Sequence, residues 1–168
     1  MKIGLLSDTH GWIHPSVFKY FSECDEIWHA GDIGSTEVAV QLENFKPFRA
    51  VYGNIDDASL RRRYSEHLRF SINELDIWIT HIGGYPGRYA PGVRPQIFEN
   101  PPGLFISGHS HIAKVIPDKN LNLLHINPGA AGYTGYHKVM TLARFTIGRG
   151  KVSELELIEL GPRSKLID

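Results

Sequence analysis

Five short polar clusters, each placed directly after a strand-like apolar run, constrain this chain more than any other feature. The clusters are Asp8-Thr9-His10, Gly31-Asp32, Gly53-Asn54-Ile55-Asp56, His81 and Gly108-His109-Ser110-His111. In α/β sheets, ligands bind in the crevice outside the carboxyl ends of the strands. Loops that meet at one sheet edge would therefore gather aspartate, histidine and asparagine side chains in one place.

Apolar periodicity predicts an α/β organisation for the first third of the chain. Ser35 is a predicted N-cap, because a serine directly before a helical pattern can accept a hydrogen bond from the first turn. The β-α-β-α-β order implies parallel strands joined by helical crossovers. The predicted strands cover 3–6, 26–29 and 48–52, and the predicted helices cover 15–21 and 36–45.

The remainder is richer in strands and is expected to be largely antiparallel. Asn73-Glu74 and Gly148-Arg149-Gly150 each join two apolar runs, which is typical of hairpins. Strands are predicted over 68–72, 75–80, 104–107, 114–117, 123–126, 139–147 and 152–160, with a short helix over 94–99. Together these elements predict a layered α-β-β-α sandwich of two mixed sheets flanked by helices. With no linker or repeat, residues 1–168 are expected to form a single domain.

Composition excludes several classes of protein. Lysine plus arginine balance aspartate plus glutamate at 18 each, so nucleic acid is not expected as a partner. Cys24 is the single cysteine, which excludes an intrachain disulfide and a cysteine-based zinc site and favours a reducing compartment. No apolar run approaches the roughly 18 residues of a membrane span. The first apolar run ends at Asp8, too early for a signal peptide, so a cytoplasmic location is expected.

The polar clusters form a donor set of nitrogen and oxygen without sulfur. Such a set suits Mn²⁺, Fe, Zn²⁺ or Ni²⁺ better than Ca²⁺ or Mg²⁺. The candidate ligands are too many for one tetrahedral ion, so we expect two ions, with Asp32 placed to bridge them. The candidates are Asp8, His10, Asp32, Asn54, His81, His109 and His111.

Two divalent ions would leave this site electropositive, because two aspartates do not neutralise them. Metal pairs about 3.5–4 Å apart recur in enzymes that attack phosphorus in line. They lower the pKa of a bridging water, whose hydroxide is the nucleophile, and they stabilise charge on the phosphoryl oxygens. The expected substrate is a small-molecule phosphoester.

The order of these clusters resembles that of the calcineurin-like metallophosphoesterase superfamily. The family order is D-x-H, G-D, G-N-x-[DE], a lone His and G-H-x-H, and each element is present from Asp8 to His111. Asn127-Pro128-Gly129 matches a further family segment. The nearest branch is the compact bacterial and archaeal phosphodiesterases, to which the scaffold protein Vps29 is related.

This resemblance implies a ligand set and an activity. Asp8, His10, Asp32 and His111 would hold the first metal, and Asp32, Asn54, His81 and His109 the second. The implied reaction is phosphoester hydrolysis, with a diester preferred, and Mn²⁺ is the expected metal. Catalytic roles would fall to Asp32, Asn54 and His109, and a homo-oligomer is expected.

Two departures from the family pattern bear on function. Ile55 stands where many members carry a histidine proposed as the leaving-group acid, and Ile82-Gly83 replaces Gly-His after His81. The first departure favours an alternative, a Vps29-like scaffold that retains metal without significant catalysis. The complete ligand set favours the enzyme.

Four further features lie outside the predicted ligand set. The loop after His81 contains Arg88 and Arg94, which are candidates for gripping a phosphate, with a solvated surface loop as the alternative. His29 is interpreted as a buried supporting histidine, and His137 as a structural or surface residue. The arginine run at 61–63 is interpreted as a solvated helix face, with an oligomer contact or phosphate steering as the minor alternative.

Overall fold

The first of two five-stranded sheets contains the parallel strands of the β-α-β-α-β segment. In this computed structural model, which describes residues 1–164, the strand order is β12-β11-β1-β2-β3. β1, β2 and β3 are parallel, whereas β11 lies antiparallel between β1 and β12. The strands are β1 (Lys2–Leu6), β2 (Glu26–His29), β3 (Phe48–Ala50), β11 (Val139–Gly148) and β12 (Lys151–Pro162).

Most strand pairs of the second half are antiparallel, as expected, but the second sheet has a parallel centre. Its order is β4-β5-β8-β10-β9, and the three central strands are parallel. Only the two edge strands, β4 and β9, pair antiparallel with their neighbours. The strands are β4 (His67–Ile72), β5 (Leu75–Thr80), β8 (Leu104–Ile106), β9 (Ala113–Asp118) and β10 (Leu123–Pro128).

The main core lies between the two sheets. Side chains alternate along a strand, so Ile3 and Leu5 of β1 point inward and meet Ile77 and Ile79 of β5 in one buried cluster. The intervening Trp78 belongs to a different cluster on the outer face of the second sheet. The two sheets therefore pack face to face, as the alternation predicts.

Short helices cover the outer faces. α1 (Ser16–Tyr20), α2 (Thr36–Phe45) and α3 (Ala58–Arg63) pack on the first sheet, and α4 (Arg94–Glu99) packs on the second. Ser35 is the N-cap of α2, where its side chain accepts from the Val38 N–H at 3.3 Å. These layers confirm the α-β-β-α sandwich. In the part of the chain that the structure describes, no helix is long and apolar enough to cross a membrane.

The five polar clusters lie at neighbouring ends of strands from both sheets. β1, β2 and β3 lead into the first three clusters, whereas β5 leads into His81 and β8 into the last cluster. The backbone joins the loops directly, because Asp8 N–H donates to Gly31 O at 3.0 Å and Gly108 N–H donates to His81 O at 3.0 Å. The candidate site therefore lies where two sheets meet, not at the edge of one.

Candidate metal centre

Six of the predicted ligands converge into two groups. We call Asp8, His10 and His111 the first ligand group, and Asp32, His81 and His109 the second. Within each group, one ligand atom per residue lies within 4.8 Å of the others. Each group combines loops from both sheets, so neither group can form before the two sheets pack.

The carboxylate of Asp8 is held so that one oxygen remains free for a cation. Its Oδ2 accepts from Ser7 Oγ at 2.6 Å and from the His109 N–H at 3.2 Å. Its Oδ1 lies 3.1 Å from His111 Nε2 and 3.8 Å from His10 Nε2. The neighbouring loops therefore orient this carboxylate, which is fully buried, towards the first ligand group.

The Asp32 carboxylate lies between the two groups. Its Oδ1 accepts from the Ile55 N–H at 3.1 Å. Its Oδ2 lies 3.5 Å from His10 Nε2 and 3.2 Å from His81 Nε2. One oxygen of Asp32 thus faces a histidine from each ligand group.

Buried ligand atoms without partners fit a cation. Asp8 Oδ1, His10 Nε2 and His81 Nε2 are buried and have no hydrogen-bond partner among the described residues. Leaving such groups unpaired costs about 1–3 kcal/mol each, and more where the group is charged. Asp8 Oδ1 also lies 3.8 Å from His81 Nε2, so these atoms face one another. Imidazole nitrogen and carboxylate oxygen are the donors that divalent transition metals prefer.

Backbone strain is concentrated in the ligand loops. Asp8, His10, Asp32, His109 and His111 all adopt positive φ, between 48° and 67°. Non-glycine residues in this left-handed region cost about 1–3 kcal/mol each where their surroundings enforce it, and they cluster at functional sites. In the first and last clusters, two predicted ligands separated by one residue are both left-handed, namely Asp8 with His10 and His109 with His111. This strain is consistent with loops shaped for ligand placement.

The titration of the site reflects its opposite charges. Burial opposes ionisation of Asp8, but the nearby His10, His111 and His81 rings outweigh it, so the Asp8 pKa lies well below its ordinary value. The nearby Asp8 carboxylate raises the pKa of His10. Burial opposes protonation of His81, but the Asp32 and Asp8 carboxylates outweigh it and raise the His81 pKa. Because a cation and protons compete for the same ligand atoms, metal binding should weaken as pH falls.

The third cluster places Asn54 beside the second ligand group. Asn54 is exposed and lines a cavity of about 200 Å³ with His81. The Asp56 carboxylate holds this loop, because it accepts from the backbone N–H groups of Gly53, Ile33 and Gly34 at 2.7–3.1 Å. Asp56 therefore has a structural role of its own in a chain that carries isoleucine at position 55.

Two of the three arginines in the 61–63 run form contacts that hold other elements in place. Arg61 donates to Asp56 O at 2.7 Å and to Asn54 O at 3.1 Å, which clamps the third cluster. Arg63 forms an ion pair with Glu43 on α2. The interpretation as a solvated face therefore holds only in part, since Arg61 supports the loop that carries Asn54.

The positions of Arg88 and Arg94 do not support the predicted phosphate contact. Both line a cavity of about 280 Å³ that includes Phe98 and Asp118 but none of the candidate ligands. The loop after His81 folds into a small ribbon of β6 (Gly84–Tyr85) and β7 (Arg88–Tyr89). Tyr89 then donates to Asp118 at 2.8 Å, which ties the end of the ribbon to β9.

Three further residues lie near the centre and were not among the predicted ligands. His137 lies against His111, with 3.2 Å between their Nδ1 atoms, although it belongs to no motif. Lys114 and His125 line a cavity of about 170 Å³ together with His109. The match of Asn127-Pro128-Gly129 to a family segment was the sequence feature that indicated this region. Asn127 Nδ2 donates to Gly108 O at 2.9 Å, so the segment lies against the last cluster.

His29 supports the first two clusters from inside the first sheet, as its position in β2 predicts. Thr9 Oγ1 donates to Ile33 O at 2.9 Å and therefore accepts from His29 Nε2–H, also at 2.9 Å. His29 Nδ1 accepts from the Gly31 N–H at 3.1 Å. Complete burial lowers the pKa of His29 to about 3, so the ring is neutral in the folded protein.

We expect His29→Gln to weaken the acid sensitivity of the metal-free protein. The unfolded chain protonates His29 near its ordinary pKa of about 6.5, whereas in the folded protein burial lowers this pKa to about 3. Stability therefore falls as pH falls between these values, by up to about 1.4 kcal/mol per pH unit from this group. Urea unfolding at pH 6, 5 and 4 in the presence of chelator measures this. As the pH falls, the free energy of unfolding should fall less for the variant than for the wild type. Parallel pH profiles for the two proteins would contradict this role.

The fold and the two ligand groups define the class of protein, a metal-binding phosphoesterase fold, and comparisons with known proteins agree. The sequence model of the calcineurin-like phosphoesterase superfamily domain matches residues 1–150. A probable metallophosphoesterase of Methanothermobacter thermautotrophicus is 31% identical over 139 residues, which are 77% of either chain. One from Methanocaldococcus jannaschii is 32% identical over 136 residues, which are 77% of this chain and 68% of the relative.

Solved structures share the same fold. An archaeal phosphodiesterase superposes with a TM-score of 0.73 at 25% identity, over 95% of this chain and 99% of the other. A single mutant of Vps29 from Entamoeba histolytica superposes with a TM-score of 0.73 at 16% identity, over the same shares of the two chains. The chain belongs to the calcineurin-like phosphoesterase superfamily, as its motifs indicate. This family supports a hydrolase acting on phosphate esters.

Proposed function

We propose that the chain is a dinuclear metal-dependent phosphodiesterase. The observation that carries this proposal is the position of Asp32, whose Oδ2 faces His10 of the first ligand group and His81 of the second. A shared carboxylate is the feature that distinguishes a metal pair from two separate sites. Asp8, His10, Asp32 and His111 hold one ion, and Asp32, Asn54, His81 and His109 hold the other.

Two divalent ions held there supply a nucleophile from water at neutral pH and neutralise charge that develops on the phosphoryl oxygens. The chain's own residues position these ions. Asp32 keeps the two ligand groups together, while Asn54 and His109 occupy the exposed side of the second group, where a substrate can approach. The sulfur-free donor set is compatible with Mn²⁺, the metal that the family resemblance implies, and with Ni²⁺, Fe or Zn²⁺.

Two cavities beside His109 support a diester substrate. One has a volume of about 340 Å³ and is lined by His111, Ile112, Tyr136 and His137 as well as His109. The other, of about 170 Å³, also includes His109. A phosphodiester carries an organic group on each side of phosphorus, and two cavities that share His109 can receive both. The archaeal phosphodiesterase at 25% identity supports the same preference.

The smaller cavity contains a cation suited to an anionic substrate. Lys114 forms no ion pair among the described residues, and its Nζ lies 3.5 Å from the centre of the Tyr85 ring. Of these three cations, only Lys114 shares a cavity with a predicted ligand, so its position makes it a better candidate than Arg88 or Arg94 for steering a phosphoester. We therefore assign the substrate-binding cation to Lys114.

Ile55 shapes the expected substrate range. The residue is 46% exposed and its side chain carries no proton donor, while its backbone N–H is directed to Asp32. Without a general acid at this position, the leaving group must depart as an anion or take its proton from solvent. Esters with acidic leaving groups should therefore react faster than alkyl esters.

A metal-titrated hydrolysis assay tests the proposal. Protein stripped with chelator should be inactive, and Mn²⁺ should restore hydrolysis of bis-p-nitrophenyl phosphate in preference to p-nitrophenyl phosphate. Metal analysis of the restored protein should give about two ions per chain. Two bound ions without turnover for any of Mn²⁺, Ni²⁺ or Zn²⁺ would contradict the enzyme and favour the Vps29-like scaffold.

A further inference from the structure

His137 is in contact with one of the predicted metal ligands and lies within hydrogen-bonding distance of it. It lies in the segment between β10 and β11 and is half-buried. Its Nδ1 is 3.2 Å from His111 Nδ1, and its Nε2 is 2.8 Å from Gly132 O. The two rings meet edge to face, with centres 5.1 Å apart.

The hydrogen-bond partners determine where the protons lie. A backbone carbonyl only accepts, so His137 Nε2 carries the hydrogen that Gly132 O receives. In the neutral ring, His137 Nδ1 is then an acceptor. It accepts the Nδ1–H of His111, which leaves the lone pair of His111 on Nε2. That nitrogen lies 3.1 Å from Asp8 Oδ1, another atom that only accepts.

We propose that His137 is a positioning residue for the first ligand group. It fixes the tautomer and the ring plane of His111, so that Nε2 presents its lone pair beside Asp8 Oδ1. The inference rests on the proposed metal centre and adds a supporting residue to it. In the second ligand group a backbone carbonyl has the equivalent place, because His81 Nδ1 lies 2.7 Å from Ala30 O.

The loop that carries His137 packs closely on this pair. A Cβ atom at Gly135 would lie 2.3 Å from His111 Nδ1 and 3.2 Å from His137 Nδ1, and Gly135 has a φ of 131°. The same loop is joined to the first cluster, because the Gly132 N–H donates to Asp8 O at 3.1 Å. Residues 132–137 therefore form an outer support that links Asp8 to His111.

Two variants of His137 separate its hydrogen bonds from its packing. His137→Phe keeps a ring beside His111 but cannot accept, whereas His137→Gln can accept from His111 and donate to Gly132. Loss of such an outer partner typically lowers metal affinity about 10–100-fold. We expect this loss for one Mn²⁺ site in His137→Phe, with the other site unchanged, and an affinity close to wild type in His137→Gln.

The measurement is Mn²⁺ binding to chelator-treated protein, followed by the electron paramagnetic resonance signal of free Mn²⁺. His10→Ala and His109→Ala each remove a ligand from one group and identify which site is affected. The unfolding temperature in chelator reports any purely structural effect. If His137→Phe does not fold, His137→Leu replaces it, because leucine has no atom that can accept from His111.

Three outcomes would overturn the inference. Unchanged Mn²⁺ binding in His137→Phe would show that His111 needs no such partner. An equal loss at both sites, together with a lower unfolding temperature in chelator, would make His137 a structural residue only. A wild-type protein that binds no Mn²⁺ would instead remove the proposed metal centre itself, and the positioning role with it.

Discussion

Asp32→Asn is expected to lower phosphodiester turnover about a thousandfold, equivalent to about 4 kcal/mol of transition-state stabilisation. The substitution keeps the size of the side chain and the oxygen that accepts from the Ile55 N–H. It removes the negative charge that faces His10 and His81. Without that negative charge, the repulsion between two neighbouring cations is offset less. Metal content should therefore fall together with turnover, as measured by elemental analysis and by bis-p-nitrophenyl phosphate hydrolysis.

Asp57→Asn is the matched control for this prediction. Asp57 is the N-cap of α3 and accepts from the N–H groups of Ser59 and Leu60, both at 3.0 Å. Asparagine caps helices about as well as aspartate, so this variant should retain both metal content and turnover. If Asp32→Asn kept wild-type metal content and turnover, Asp32 could not be the shared ligand and the dinuclear proposal would fail.

Gly53→Ala is expected to impair the site without removing a ligand. A Cβ atom at position 53 would lie 2.0 Å from Asp32 Oδ1 and 2.3 Å from the Asp32 backbone nitrogen. The backbone atom cannot move aside without moving the whole loop. We expect the free energy of unfolding to fall by about 1–3 kcal/mol. Turnover should fall about a hundredfold, since a displacement of about 1 Å at a reacting centre can cost this much.

Gly92→Ala provides the comparison, because nothing lies within 4 Å of the Cβ atom it would add. Urea unfolding and hydrolysis kinetics on both variants measure the difference. A Gly53→Ala protein as active and as stable as Gly92→Ala would mean that the Asp32 loop is not held against the third cluster as described.

Local signals in the sequence predicted most of the secondary structure. The strand over 26–29 and the helices over 36–45 and 94–99 have the predicted bounds. The hairpin of β4 and β5 turns at Asn73-Glu74, where both residues adopt positive φ, 46° and 69°. Caps, turns and alternation depend on residues close in sequence, so a single sequence can reveal them. The parallel centre of the second sheet was not predicted, because strand pairing depends on partners far apart in the chain.

The sequence by itself determined the chemistry of the candidate site. The five clusters supplied the donor types, the family and the expectation of two ions, since each motif is a run of adjacent residues. The loss of a side-chain acid at Ile55 was equally visible. These features depend on residue identity and order, which packing does not alter.

Only the tertiary structure decided how those residues meet. Packing of the second sheet on the first brings His81 and His111 to Asp8, and it leaves buried ligand atoms facing one another. Packing also directs Arg88 and Arg94 to another cavity and places Lys114 and His137 near the ligands. The directions of these side chains depend on contacts with distant segments, which no local pattern of this sequence encodes.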